Sequence, residues 1–103
     1  MPFMVLAYDG KDAEAPARRQ AARPAHFARV APEAESGRLL IGGPLTDADG
    51  RMIGSMMVLD LPNEAAVHAW LADDPYVRQE VWKDISVLPF QVAPLKYRPL
   101  SAG

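Results

Sequence analysis

Two histidines, His26 and His68, are the only side chains in this chain that titrate near neutrality without help from their surroundings. His26 follows Arg23-Pro24-Ala25, at what the proline marks as the first turn of a helix. It sits about one residue, roughly 100°, away from an apolar stripe through Phe27. The helix dipole at such a position favours the neutral imidazole that a general base needs; the competing reading is a structural or exposed histidine. His68 lies on the polar side of a second helix, four residues after Glu64, and reads as a surface histidine. A base needs an orienting carboxylate. Glu35 falls on the opposite face of the helix from His26, and Glu33 shares its face but lies two turns away. Asp73 and Asp74 end the second helix, whose C-terminal end approaches the start of the first if the two run antiparallel. Asp74, just before Pro75, is therefore the expected partner of His26; the alternative is a turn residue before proline.

The other polar groups are weaker candidates. Ser55, in Gly54-Ser55 on a strand, is placed to line a pocket, but the strained strand-to-helix elbow of a serine nucleophile is missing. Arg18, Arg19, Arg23 and Arg29 form a basic cluster that draws an anionic substrate to His26 or simply makes a solvated face. Asp47-Ala48-Asp49-Gly50 has half the ligands of a calcium loop and reads as a hairpin turn. No helix follows Gly42-Gly43-Pro44, so it is no phosphate cradle. Neither histidine has metal-ligand spacing, and no metal or cofactor is expected. The absence of cysteine excludes a disulfide scaffold, a CxxC redox site and a cysteine-based zinc site.

The elements that must carry these residues follow from turn residues and periodicity. Phe3 to Tyr8 is a strand closed by Asp9-Gly10, and residues 11–23 are a loop or loose turn. A helix opens at Pro24, with Phe27, Val30, Ala31 and Ala34 as its stripe, and closes at Ser36-Gly37. Pro32 predicts a kink or break between Ala28 and Pro32. Arg38 to Gly43 and Met52 to Asp60 are strands joined through Asp49-Gly50. Leu61-Pro62-Asn63-Glu64 opens the second helix, whose stripe is Ala66, Val67, Trp70 and Leu71 and which Asp73-Asp74-Pro75 ends. Tyr76 to Trp82 holds a short helical turn, and Ile85 to Val92 is a last strand that Pro89 assigns to an edge or a bulge. The order β-α-β-β-α-β predicts an α+β, ferredoxin-like fold: a four-stranded antiparallel sheet with two helices on one face. With 103 residues and no linker or repeat, the chain reads as one domain, 1–103.

The strands are apolar on both faces. Phe3, Val5 and Ala7 alternate with Met4, Leu6 and Tyr8, and Ile53, Met57 and Leu59 with Met52, Met56 and Val58. Two helices cover one face only, so the second is expected to meet a copy of itself in a homodimer. The alternative is a monomer whose tail, Pro94 to Gly103, covers that face. A net charge of −2 is poor footing for a nucleic-acid binder. No apolar run approaches the ~20 residues of a membrane span. Met1-Pro2-Phe3-Met4 lacks the basic region of a signal peptide. No nucleic acid and no membrane are expected as partners, and the expected location is cytoplasmic.

Taken in order, Arg23-Pro24-Ala25-His26-Phe27-Ala28-Arg29, Ser36-Gly37-Arg38-Leu39-Leu40, Gly43-Pro44, Gly54-Ser55, Asp74-Pro75-Tyr76-Val77 and Ile85-Ser86-Val87-Leu88-Pro89-Phe90 resemble the YciI-like (YCII-related) family over about the whole chain. The resemblance implies a dimeric α/β-barrel arrangement of the ferredoxin-like fold and a pocket with a His–Asp pair, carried here onto His26 and Asp74. Some relatives act on chlorinated aromatic breakdown intermediates, and the wider group includes lactone isomerases and monooxygenases. The chain departs from the family at Pro32, in a normally helical stretch, and at Leu88, where lysine is common. Two functions follow as expectations. One is a small cofactor-free enzyme in which His26 and Asp74 perform acid/base chemistry on an aromatic or lactone-like molecule, with Ser55, Arg23 and Tyr76 binding it. The other is a non-catalytic dimeric module that binds a small ligand or supports a partner.

Overall fold

A computed structural model describes residues 1–100. The elements are β1 (Pro2–Asp9), α1 (Ala15–Ser36), β2 (Leu39–Thr46), β3 (Met52–Asp60), α2 (Glu64–Ala72), α3 (Pro75–Arg78) and β4 (Trp82–Pro89). The four strands form one antiparallel sheet in the order β2-β3-β1-β4, with the helices against one face: the ferredoxin-like α+β fold. Gly54 lies opposite Tyr8 in the β1–β3 ladder, where a Cβ would collide with the Ala7 carbonyl oxygen. Only glycine lets the two central strands close up beside Ser55. The Asp49-Gly50 turn forms as expected, with the Asp47 carboxylate accepting from the backbone N–H groups of Asp49 and Arg51.

The first helix corrects the expectation. It is one 22-residue element that opens at Ala15, with Pro16 in its first turn, and runs through both Pro24 and Pro32 to a left-handed Gly37 (φ 86°). Each interior proline removes a backbone hydrogen bond at a cost of about 3 kcal/mol. Side chains buried on both sides of Pro24, from Ala15 to His26, and Val30 packed on the core before Pro32, hold the helix to the sheet. Tertiary burial outweighs local propensity. His26 thus lies eleven residues beyond Ala15, in mid-helix, where a dipole effect confined to the first turn does not reach.

The buried face of α1 also differs from the expected stripe. Ala15, Arg19, Ala22 and His26 face inward, while Phe27 is 51% exposed. Two of the four inward residues are polar, so a search for apolar periodicity settles on the neighbouring face. The core is made by Phe3, Val5 and Ala7 of β1, Met57 and Leu59 of β3, Val67, Trp70 and Leu71 of α2, together with Tyr76, Val81 and Trp82. Trp70 adds a hydrogen bond from its indole N–H to Glu33 Oε1 at 2.7 Å, and the Arg29 guanidinium lies over its ring at 4.1 Å. Trp70→Ala is expected to lower unfolding free energy by about 3–5 kcal/mol in chemical denaturation; a loss below about 1 kcal/mol contradicts this docking of α2.

At the sheet edges, β2 continues to Thr46, two residues past the expected end near Pro44, because an edge strand tolerates a residue with no N–H to donate. β4 runs from Trp82 to Pro89 and not from Ile85 to Val92; Trp82 pairs with Asp9 across a bulge after Tyr8, and the strand ends at its edge proline. The sheet face away from the helices carries Met4, Leu6, Met56, Val58, Ile41 and Leu88, the last two 42% and 44% exposed. Leu88 therefore belongs to this open face. In the tail, the large side chains Leu95, Tyr97 and Leu100 are 68%, 61% and 76% exposed, and residues 101–103 lie outside the described residues.

Candidate active site

Asp74 is completely buried at the junction of α2 and α3, where it caps the short helix. Its Oδ1 accepts the Tyr76 backbone N–H at 2.9 Å and lies 2.8 Å from His26 Nδ1. Its Oδ2 accepts from Arg29 Nη1 at 2.9 Å, and Arg29 Nη2 donates to the Trp70 carbonyl oxygen at 2.5 Å. A carboxylate in that setting can only accept, so Nδ1 carries the hydrogen and Nε2 is the free ring nitrogen. Nε2 has no hydrogen-bond partner among the described residues, yet it is not sealed in. Among the described residues, Arg19 Nε is the one fully enclosed side-chain nitrogen or oxygen without a partner. The structure therefore brings His26 and Asp74 together, through the middle of α1 and not through its start.

Aromatic rings fix the imidazole further. Tyr76 stacks on it at 4.0 Å between centroids with 12° between planes, and Trp82 meets its edge at 5.8 Å. Burial holds the Tyr76 phenol above its ordinary pKa, opposed by the charges of Arg19 and Arg23. Behind Arg29, Glu33 accepts from Arg38 and from Trp70, and those hydrogen bonds keep its carboxyl below the usual range. His26, Arg29 and Glu33, at spacings of three and four, form a polar row on α1 that reaches across to α2 and the α2–α3 junction.

A second buried network lies beside the first. Arg19 Nη1 donates to both oxygens of Asp9, at 2.9 and 3.0 Å, and Nη2 donates to Ser55 Oγ at 2.9 Å. The Trp82 indole N–H donates to the same hydroxyl oxygen at 3.2 Å. The Arg19 guanidinium sits 4.9 Å from the Tyr76 ring centroid, linking the two networks.

Between α1 and the β2–β3 side of the sheet is a cavity of about 280 Å³. Its polar end is made by Arg19, Arg23, His26, Ser55 and Tyr76, and its body by Phe27, Val30, Leu39, Met52 and Met57. Of the expected site residues, His26, Ser55, Arg23 and Tyr76 line this cavity, while Asp74 stands behind His26. Arg23 is exposed and lies over the Phe27 ring at 4.3 Å. Asp9 and Trp82 have no site reading in the sequence, and Arg19 and Arg29 have one only as members of the basic cluster. The basic cluster was the available signal, but its members divide: Arg18 pairs with Asp12 near the surface, Arg19 is buried with Asp9, and Arg29 clamps Asp74. His68 is exposed, 3.4 Å from Glu64, as expected of a surface histidine.

Fold and site together define a ferredoxin-like α+β protein with a small cavity served by a buried histidine–carboxylate pair. The chain belongs to the YCII-related domain family, whose model matches residues 1–91. It is 33% identical over 97 residues to Protein YciI of Escherichia coli, which spans 88% of this chain and 97% of that protein. An uncharacterized protein of Haemophilus influenzae is 34% identical over 80 residues, 72% of this chain and 82% of its own length. Among solved structures, the chain resembles 5-chloro-2-hydroxyhydroquinone dehydrochlorinase of Burkholderia phenoliruptrix AC1100, in complex with 2,5-dihydroxybenzoquinone. The TM-score is 0.77 at 21% identity, over 90% of this chain and 96% of that one. A dimeric ferredoxin-like protein of unknown function from Jannaschia sp. CCS1 gives a TM-score of 0.50 at 18% identity, over 88% and 98%. These two likenesses concern the fold. No helix among the described residues is long and apolar enough to cross a membrane.

Proposed function

We propose that this chain is a small cofactor-free enzyme in which His26, oriented by Asp74, performs acid/base chemistry on a small aromatic or lactone-like molecule held in the cavity. The observation that carries the reading is the Nδ1–Asp74 hydrogen bond, which leaves Nε2 of a cavity-lining histidine unpartnered. In the proposed step, Nε2 takes a proton from an O–H or activated C–H bond of the substrate. The electron pair of that bond stays on the substrate as an oxyanion or enolate. The imidazolium formed is matched by the Asp74 carboxylate, which Arg29 and the Tyr76 N–H keep in place. Ser55, Arg23 and Tyr76 are the proposed substrate contacts.

The fold neighbour that acts on a chlorinated hydroquinone supplies the first compounds to assay: hydroxyhydroquinones with and without chlorine, and lactones of aromatic origin. Turnover of one of these that disappears in His26→Ala supports the reading. Turnover that His26→Ala leaves intact removes the role assigned to His26, whereas no turnover of any of these compounds by the wild type favours the non-catalytic binding module, in which the stacked His26 is a packing residue.

We further propose that residues 1–103 form a single domain that pairs through its open sheet face, since Met4, Leu6, Met56 and Val58 have no helix above them. A stable interface of this kind buries more than about 1,000 Å². Sedimentation at micromolar concentration is expected to give twice the chain mass of 11.2 kDa; a species at the single-chain mass overturns the dimer.

A further inference from the structure

The polar end of the cavity carries hydrogen-bond donors that the protein leaves without acceptors. A serine hydroxyl has two lone pairs and one hydrogen. Both lone pairs of Ser55 are taken, by Arg19 Nη2 at 2.9 Å and by the Trp82 indole N–H at 3.2 Å. Arginine and tryptophan side chains donate only, so neither contact can reverse. The Ser55 hydroxyl is therefore compelled to donate its hydrogen, and among the described residues nothing accepts it. Ser55 is 5% exposed, and the open space beside it is the cavity it lines.

Arg23 points to the same conclusion independently. Of the four arginines on α1, Arg18, Arg19 and Arg29 each hold a carboxylate, from Asp12, Asp9 and Asp74. Arg23 has none among the described residues; its guanidinium rests on the Phe27 ring, and it lines the cavity. A neutral apolar ligand would leave both unanswered.

We infer that the ligand enters with an ionised oxygen on a small apolar body, a phenolate, enolate or carboxylate, and that this oxygen accepts from the Ser55 hydroxyl and the Arg23 guanidinium. This deepens the acid/base reading and rests on it for the identity of the cavity as the active site. Arg19 and Trp82 are positioning residues: by filling the lone pairs of Ser55 they turn its hydrogen toward the ligand.

The probe is 4-nitrophenol, whose phenolate has its own visible absorption band, with nitrobenzene as the uncharged control. The wild type is expected to bind the phenolate about tenfold or more tighter than neutral 4-nitrophenol, the effect of a hydrogen bond to a charged group, so that the bound probe ionises at lower pH than the free one. Ser55→Ala, with thermal melting to confirm that it folds, should lose about tenfold in phenolate affinity and change nitrobenzene affinity by less than about twofold. Arg23→Gln, at an exposed position that spares the core, should lose phenolate affinity and much of its salt dependence. Equal binding of the two forms by the wild type, no saturable binding of either, or an unchanged preference in both variants overturns the inference. His26→Ala separates the two proposals, because it should lower turnover by about 10²–10⁴-fold and keep the phenolate preference. A preference lost in His26→Ala and kept in Ser55→Ala assigns the anion to the imidazole; that outcome overturns this inference and leaves the dyad standing.

Discussion

Replacing His26 with alanine is expected to lower turnover by about 10²–10⁴-fold, the usual contribution of a positioned general base. The expectation rests on the division of labour between the ring nitrogens. Nδ1 is committed to Asp74 at 2.8 Å, so Nε2 is the acceptor available to a molecule in the cavity. Fold and binding should survive the change. Asp74 retains Arg29 and the Tyr76 N–H, and the polar end of the cavity retains Ser55 and Arg23. The loss should therefore appear in kcat with KM changed little, and a variant that keeps its kcat contradicts the assignment. Asp74→Asn should lose less than His26→Ala, because it disturbs the orientation of the base without deleting it. Its amide has a single oxygen to offer where the carboxylate now serves His26, Arg29 and a backbone N–H, so the orientation is disturbed.

Asp74→Ala is expected to lower stability by about 3–5 kcal/mol, the range seen when one partner of a buried ion pair is removed. The side chain is wholly buried and serves three donors at once. Without it the Arg29 guanidinium loses its counter-charge, α3 loses its N-cap, and His26 loses the group that fixes its tautomer. Arg29 is 23% exposed and has some access to water, which places the expected cost toward the lower end of the range. Chemical denaturation of Asp74→Ala beside Asp74→Asn checks it. Asn preserves the volume and one acceptor, so it should recover part of the loss, whereas equal stability of Asp74→Ala and the parent rules out a structural role for this carboxylate.

The sequence by itself determines what is local and repetitive in this protein. Short continuous apolar runs bounded by turn residues mark β1 and β3, Asp49-Gly50 marks the hairpin between β2 and β3, and Asn63 before an apolar stripe marks the start of α2. Those signals suffice for the βαββαβ order, and with it the approach of Asp74 to the helix that carries His26. They mislead along α1, because Pro24 and Pro32 are local breakers and Phe27 is a local apolar marker. The inner face of that helix is instead written in Arg19, Ala22 and His26. An arginine belongs to the core only when its carboxylate is already there. For Arg19 that carboxylate is Asp9 on β1; for Arg29 it is Asp74, 45 residues on. The cost of burying Arg19 is offset by a carboxylate ten residues away on another element, and Arg29 is paired with one that no local window of sequence contains. Which arginines are solvated, which are buried, and that the Ser55 hydroxyl can only donate are therefore decided by the tertiary structure alone.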